Sequence, residues 1–233
     1  MTAKRTSILE QYFYLFMSFL IAVVVIYGFS HTIDRNLLHP SFQPPWILYL
    51  HSFVFSAWVL FFILQSALVR SRNLLLHRTL GWVGVGLGVA IVVLGYTTAI
   101  TMGRLSLQHR IPFPFASFLI VAILDLVCFA VPFVLAIYWR RRSDFHRRLM
   151  LIASCALLEA AFGRIPISRI FLAPVGVDLL ILLGVVRDVI VDRRIHKVYL
   201  YALPAMILLQ VIAEYTFVHQ SPWWTGIGNY LLR

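Results

Sequence analysis

The sequence predicts an all-α membrane protein, a polytopic bundle of about seven transmembrane helices that forms a single domain over residues 1–233. Two observations predict this fold class. Hydrophobic residues make up 61% of the chain and charged residues only 12%, whereas globular domains carry about 25% charged residues. The chain also contains repeated apolar segments close to the length of about 20 residues that crosses a bilayer. An ordinary soluble domain is therefore excluded.

Seven apolar segments separated by short polar connections are the predicted spans. They cover residues 12–30, 46–69, 79–102, 113–139, 148–164, 174–191 and 198–218. The first follows a basic start and could pass for a secretory signal, but its apolar stretch is too long and residues 30–32 offer no small-x-small cleavage site. We therefore interpret it as a retained span. Trp46 and Trp139 lie at span ends, as residues of an interfacial aromatic belt do.

The later spans are less regular than the first four. Charged residues interrupt the fifth and sixth, and prolines punctuate the turn between them, so a six-span arrangement also stays open. These residues are Glu159, Arg164, Asp178, Arg187 and Asp188, with Pro166 and Pro174. The tail at 219–233 is too short to cross again and is broken by Pro222, Gly226 and Gly228. We expect it to lie in the membrane interface.

Basic residues predict the orientation of the spans. Lys and Arg are retained in short cytoplasmic loops, and most of the 20 such residues fall near the N-terminus or in the turns at 70–78, 140–148 and 187–197. The sequence thus predicts a multi-pass protein of the plasma (inner) membrane with a cytoplasmic N-terminus and an external C-terminus. The formal charge of +11 mostly reflects this topology, and we expect the lipid bilayer, not nucleic acid, as the partner.

After the first span, the remaining six form three hairpins, and each basic turn ends in an apolar-His-Arg/Lys sequence. Such parallel repetition is known in membrane proteins, although the positive-inside rule alone could produce it. His77, His146 and His196 would lie at one depth near helix N-termini, where the helix dipole favours neutral imidazole. If they converge, they could hold a transition metal or provide axial ligands for haem b.

Polar residues also occur within the spans. In the second span His51 and Gln65 lie at the two ends of one aromatic helical face, and in the seventh Gln210 and Glu214 share a face. Each amide could simply bond to a neighbouring helix. In the third span, glycines on the face of His77 permit either close helix packing or a flat cofactor.

Four carboxylates lie well within the predicted spans: Asp125, Glu159, Asp178 and Glu214. An ionised carboxylate at membrane depth is costly, so each should face the bundle interior, pair with a cation or be protonated. Arg164 is the expected counter-ion, whereas Asp125 has no partner that the sequence identifies. His51 with Glu159 and Glu214 could form a second metal site, or the whole group could form a proton relay or ion pathway.

The motif content narrows the enzyme classes. The sequence contains no phosphate-binding Gly-Lys-Ser/Thr loop, no His-Glu-x-x-His, no Cys-x-x-Cys and no serine-hydrolase elbow. Its two cysteines, Cys128 and Cys155, lie in apolar runs. No catalytic residue is identified.

Short motifs carry a resemblance to a known family. The segment 49–51 with Trp58 and Gln65, the elements Leu76-His77-Arg78-Thr79-Leu80-Gly81 and His146-Arg147-Arg148-Leu149-Met150, and finally residues 194–196 resemble a family of uncharacterised bacterial seven-span membrane proteins. The likeness covers most of residues 46–208. Lys197 departs from it, since that family is expected to have proline after the histidine. The resemblance implies the fold but transfers no activity.

Three functions remain for a protein of this kind. The first is a membrane redox component that binds haem or a transition metal and meets a membrane redox partner or a second copy of itself. The second is a proton-coupled transporter or channel in which Arg164, Asp178, Asp125, Gln65 and Gln210 serve as ion pairs or line the pathway. The third is a scaffold or assembly subunit whose buried polar groups only specify helix packing. Four histidines at plausible ligand positions favour the first.

Overall fold

The computed structural model describes residues 8–34, 38–40, 43–166 and 172–233, and this part of the chain is all-α, without a strand. The helices are α1 (Ile8–Ser30), α2 (Trp46–Arg70), α3 (Leu74–Gln108), α4 (Phe115–Tyr138), α5 (Ser143–Ala156), α6 (Glu159–Phe162), α7 (Leu172–Val191), α8 (Lys197–Val218) and α9 (Pro222–Leu231). Helix α4 lies at the centre, because it packs against α3, α5, α8 and α9.

Five of these helices, α1 to α4 and α8, are long and apolar enough to cross a membrane. They coincide with the predicted first four spans and the last one. The all-α class and the presence of helices long and apolar enough to span a membrane are therefore confirmed for the described residues. The full set of seven spans, their orientation and the three-hairpin repeat stay predictions.

The predicted fifth and sixth spans differ from these five. The fifth is not one helix, because α5 ends at Ala156 and the short α6 begins at Glu159 after a turn. Helix α7 is 20 residues long, yet it carries Asp178, Arg187 and Asp188, and so many charges make it polar for a span. The charges that made these segments uncertain in the sequence thus coincide with a break in the helix and with a polar helix.

Helix α3 is longer than the predicted span at 79–102. It has 35 residues, and the Asn73 side chain caps its start by accepting a hydrogen bond from the Leu76 backbone N–H at 3.2 Å. A helix of that length extends about 52 Å, well beyond the hydrocarbon core of about 30 Å. Its far end contacts the C-terminal segment, where the Arg104 guanidinium donates to the Leu231 carbonyl at 3.3 Å.

Aromatic side chains fill the space between α2, α3 and α4. Trp58 packs edge-on against Phe129 and Phe133, and its indole N–H donates to the Ser154 hydroxyl at 3.3 Å. A Cβ atom at Gly88 would collide with the ring of Phe133. Gly84, Gly88 and Gly95 of α3 therefore admit side chains of neighbouring helices, which is the helix-packing role considered for them, whereas a Cβ at Gly81 would meet nothing within 4 Å.

Among the described residues, four that are not glycine adopt the left-handed backbone conformation: Arg72, Arg110, Arg193 and Gln220, with φ between 44° and 60°. Each lies within two residues after the end of α2, α3, α7 or α8. A left-handed residue commonly closes a helix, and glycine usually takes that position because it has no Cβ. Three of these four turns use arginine instead.

The segment predicted to lie in the interface contains α9. The indole N–H of Trp224 donates to the Ala116 carbonyl at 3.1 Å, and Gly228 lies so close to the same residue that a Cβ would meet its backbone. The tail at 219–233 thus packs against the first turn of α4. Its position at the membrane interface stays a prediction.

Candidate functional site

A buried ion-pair cluster joins α5 to the end of α7. Arg148 of α5 forms a two-pronged interaction with Asp188 of α7, with both its Nε and Nη2 atoms 2.7 Å from the carboxylate oxygens. The side chain of Arg148 is 2% exposed and that of Asp188 0%. Paired N–H groups on a carboxylate form the strongest type of side-chain hydrogen bond. This contact joins α5 to α7, although the two residues are 40 positions apart in the sequence.

Two further residues complete what we call the arginine network, namely Arg148, Arg187, Asp188 and Asp192. Arg187 Nη1 lies 2.9 Å from Asp188 and 2.7 Å from Asp192, and Arg148 Nη2 lies 2.7 Å from Asp192. The two positive and two negative charges balance. A balanced, hydrogen-bonded set is the form in which buried charges are tolerated, whereas removal of one member leaves an uncompensated charge.

Asp192 and Asp144 mark the exposed edge of this network. Burial disfavours ionisation of Asp192, but the charges of Arg187 and Arg148 outweigh it and hold the pKa of the carboxyl below its usual value. Burial also opposes ionisation of Asp144, and a hydrogen bond from His196 together with backbone N–H groups lowers its pKa overall. Both carboxyls are therefore ionised at neutral pH.

His196 lies beside Asp144 and caps α8. Its Nε2 atom is 3.4 Å from the Asp144 carboxylate, and its Nδ1 atom accepts the Val198 backbone N–H at 3.2 Å. Burial and the charge of Arg148 lower the pKa of His196, although Asp144 opposes them. Because Nδ1 is an acceptor in this contact, the ring is neutral at neutral pH.

A cavity of about 350 Å³ lies beside the arginine network and is lined by both acidic and basic side chains. Its polar lining consists of Asp144, Arg147, Arg148, Asp192, Arg193, Arg194 and His196. It belongs to the end of the bundle that the sequence predicts to be cytoplasmic.

A second group of charged residues, the carboxylate cluster, comprises Asp125, Glu159, Asp178 and Glu214. The carboxyl groups of Asp125 and Glu159 lie within hydrogen-bonding reach of each other, and a hydrogen bond between two carboxyl groups requires that one of them carry a proton. The charges of Glu214 and Asp178 also act on Asp125 and Glu159, respectively. The partner of Asp125 that the sequence could not identify is therefore Glu159.

The side-chain amide of Gln210 lies next to the carboxylate cluster. Gln210 of α8 interacts with the Asp178 carboxylate. One oxygen each of Asp178, Gln210 and Glu214 is buried without a hydrogen-bond partner among the described residues. Buried polar atoms without a partner are uncommon in proteins, and both the carboxylate cluster and Arg187 of the arginine network contain them.

Arg164, the expected counter-ion of the cluster, contacts α1. Its guanidinium lies 4.3 Å from the centre of the Phe29 ring and donates to the Ala160 carbonyl. The positive charge of Arg164 also interacts electrostatically with His51. Its assignment to the pathway stays a prediction.

His51 and Gln65 occupy opposite ends of α2. The His51 ring stacks on Phe55 with 4.1 Å between ring centres and interacts with the backbone of Leu94 in α3. Gln65 is 9% exposed, and neither atom of its amide has a partner among the described residues. The structure thus brings Glu159 and Glu214 together, whereas His51 is directed at α3.

Two of the three turn histidines meet. The rings of His77 and His146 lie 6.3 Å apart between centres and are almost perpendicular, at 80°. The His146 Nδ1 atom is 2.9 Å from the Ala136 carbonyl, which assigns the proton to Nδ1 and leaves Nε2 as the atom that could bind a metal. The third histidine, His196, packs instead on the Phe145 ring at 4.8 Å.

Over the described ranges, no group of three or more His, Cys, Asp or Glu side chains has an arrangement that could hold a metal ion. Both metal-site assignments, one at His77, His146 and His196 and one at His51, Glu159 and Glu214, stay predictions.

Comparison with family models, curated proteins and solved structures gave no match to this chain. The fold itself, with five helices long and apolar enough to cross a membrane and with charged residues buried in the bundle, is compatible with an integral membrane protein.

The sequence reasoning missed the arginine network. Arg148 and Arg187 were interpreted as topological charges, and Asp188 as an interruption of a span. One signal was present in the sequence: Arg187 and Asp188 follow a run of apolar residues near the end of α7, and charges at that depth need buried partners. The identity of the partner, Arg148, depends on helix packing and has no local signature.

Proposed function

We propose that this chain is a proton-coupled membrane transporter or channel whose site is the carboxylate cluster. The hydrogen bond between Asp125 and Glu159 carries the proposal. Two carboxyl groups in contact hold one proton between them, and further carboxylates nearby offer places to which that proton can move. Intramembrane ionisable residues commonly mark proton or ion pathways.

The break between α5 and α6 supports this proposal. Glu159 is the first residue of α6, directly after the turn that ends α5. Transporters often bind their substrates and coupling ions at discontinuous helices, where backbone groups are free to interact with a ligand. The cluster also draws on α4, α7 and α8, so that movement between helices would alter the contacts of the proton.

The arginine network would close the pathway at its other end. Asp178 and Arg187 are separated by roughly 14 Å along α7, with apolar residues between them. In the predicted orientation the cluster belongs to the outer half of the membrane, and the network lies near the cytoplasm. We infer that the network is the closed inner gate and that transport requires the contact between Arg148 and Asp188 to open.

A proton-flux assay tests the proposal. Proteoliposomes that enclose a pH-sensitive dye receive an imposed pH gradient and a membrane potential, and the rate of dye response is measured. We expect the wild-type protein to dissipate the gradient and Glu159→Gln to slow it about tenfold or more. Asp34→Asn, which neutralises an exposed carboxylate, is the matched control. Equal rates in the two variants, or no flux above that of empty liposomes, would contradict the proposal.

The histidine pair favours haem binding as a second candidate function, with electron transfer as its role. The rings of His77 and His146 lie 6.3 Å apart between centres, and histidine is a common ligand of haem iron. Haem would supply one-electron chemistry there. The two residues would hold the iron, and the Ala136 carbonyl would orient one of them.

The visible spectrum of the purified protein before and after dithionite separates the two candidates. A Soret band that shifts on reduction and is lost in both His77→Ala and His146→Ala would support haem binding. His196→Ala is the control, because that ring lies beside Phe145 instead. A colourless protein with metal below stoichiometric amounts, after mild purification with added haem, would remove this candidate and leave the flux assay to decide on the first.

A further inference from the structure

An apolar groove of about 490 Å³ runs along the outside of the bundle between α4, α5 and α8. Its walls include Pro132, Leu135, Leu149, Ala205, Met206 and Leu209. Val131 and Tyr201, at its edges, are 52% and 76% exposed. The groove therefore opens onto the surface that meets lipid when these helices span a bilayer.

The groove has one charged end. Arg142 and Lys197 line it there and are both exposed. The Arg142 guanidinium lies 6.0 Å and the Lys197 ammonium 5.2 Å from the centre of the same Phe145 ring. Among the described lining residues there is no acidic side chain, and Trp139, whose ring type favours the membrane interface, lies at the same end. The charged end of the groove therefore contains two cationic side chains and, among the described lining residues, no acidic one.

The dimensions correspond to one lipid leaflet. On α8 the lining extends from Lys197 to Leu209, a distance of about 18 Å along a helix. One leaflet of the hydrocarbon core is about 15 Å thick. The cations therefore lie at headgroup depth when the apolar part lies at acyl-chain depth.

We propose that this groove binds an anionic phospholipid, with its phosphate between Arg142 and Lys197 and one acyl chain along α4 and α8. In the predicted orientation the lipid belongs to the cytoplasmic leaflet, whose anionic lipids attract basic side chains next to membrane spans. A neutral lipid would fill the apolar part but leave both cations unmatched, so charge selects the occupant. This site is separate from the carboxylate cluster and does not depend on the proposed transport.

Native mass spectrometry of the delipidated protein tests the headgroup site. Phosphatidylglycerol and phosphatidylcholine with identical chains are added separately, and the bound fraction is measured against lipid concentration. We expect phosphatidylglycerol to bind about tenfold more tightly. The double variant Arg142→Gln/Lys197→Gln should lose this preference. The control Arg141→Gln/Arg194→Gln removes the same charge from the same turns outside the groove and should keep it.

A second variant tests the groove itself. Ala205→Trp fills the apolar wall and should reduce bound phosphatidylglycerol about tenfold, whereas Val211→Trp, on an exposed part of α8 outside the groove, should leave it unchanged. Equal lipid binding by the two charge variants, or by the two tryptophan variants, would overturn the proposal. Displacement of a co-purified quinone or peptide by phosphatidylglycerol, with no preference for the anionic headgroup, would overturn it as well.

Discussion

The arginine network and the carboxylate cluster both bury charged residues of α7, but they combine charges in opposite ways. In the network, Arg148 and Arg187 are matched by Asp188 and Asp192 at 2.7 to 2.9 Å. In the cluster, carboxyl groups face one another. Opposite charges at contact distance hold two helices together until the pair separates, whereas neighbouring carboxyl groups can exist in several protonation states. The comparison separates a contact that holds the bundle closed from a cluster whose protonation can change.

The largest effect is expected from Asp188→Asn. The amide keeps the shape of the carboxylate but leaves Arg148 and Arg187 with one anion between them, and breaking a buried pair in this way costs about 3–5 kcal/mol. Unfolding in mixed micelles with increasing dodecyl sulfate measures the loss. The exposed variant Asp34→Asn is the control. A loss below about 1 kcal/mol would mean that the network does not hold α5 to α7.

A partial rescue sharpens this prediction. Replacing both members of the contact, as in Arg148→Met/Asp188→Leu, removes the two charges together and should recover part of the loss seen with Asp188→Asn. If the double variant is less stable than either single variant, the network has a role beyond charge balance.

Asp125→Asn should have a much smaller effect than Asp188→Asn. The amide replaces a group that already shares a proton and can still donate to Glu159, so we expect a change in the free energy of unfolding within about 1 kcal/mol. The same micelle titration measures it. A loss as large as that of Asp188→Asn would erase the distinction between the two regions.

The pH dependence of stability should reflect the network through Asp192. Because Arg187 and Arg148 hold the pKa of Asp192 below its usual value, the ionised carboxylate contributes stability that is present above its ordinary pKa of about 3.9. That contribution is lost as the pH falls through the lowered value. The free energy of unfolding should thus decrease below about pH 4, and Asp192→Asn should flatten this decrease. An unchanged slope in the variant would be evidence against the assignment.

His196→Ala should have a small effect on stability. The variant removes a cap of α8, a loss of about 1 kcal/mol, and an interaction with Asp144 at 3.4 Å that is worth little because Asp144 is exposed. His196→Asn should restore most of the stability, since asparagine caps helices well. If alanine and asparagine destabilise equally, the imidazole acts through packing on Phe145 and not through the cap.

The sequence predicted the parts of the fold that depend on local composition. Helix α8 begins one residue before the predicted span and ends with it, and α2 begins at the predicted residue. The break after Ala156 was not predicted, because the residues on both sides of it are good helix formers. The carboxylates of the cluster were found from their cost in a membrane, but the contact of Asp125 with Glu159 joins separate helices and depends on packing alone.

The histidines also combine a feature that local sequence predicts with one that only helix packing decides. Their position at the turns was evident from the repeated motif, and the meeting of His77 with His146 was among the arrangements considered. Which two of the three meet could not be read from the sequence, because the three motifs are alike. Packing of α5 against α4 decides it, since the Ala136 carbonyl of α4 orients His146.

The left-handed arginines at Arg72 and Arg193 imply a compromise between biogenesis and folding. Glycine would relieve a backbone cost of about 1 kcal/mol at each turn, yet in the orientation that the sequence predicts, a positive charge there favours retention of the loop in the cytoplasm during insertion. Arg72→Gly should therefore give a protein that unfolds slightly less readily once inserted and that inserts less uniformly, as fusion reporters on either side of the membrane would register. Correct insertion and maximal stability make opposing demands on these two residues.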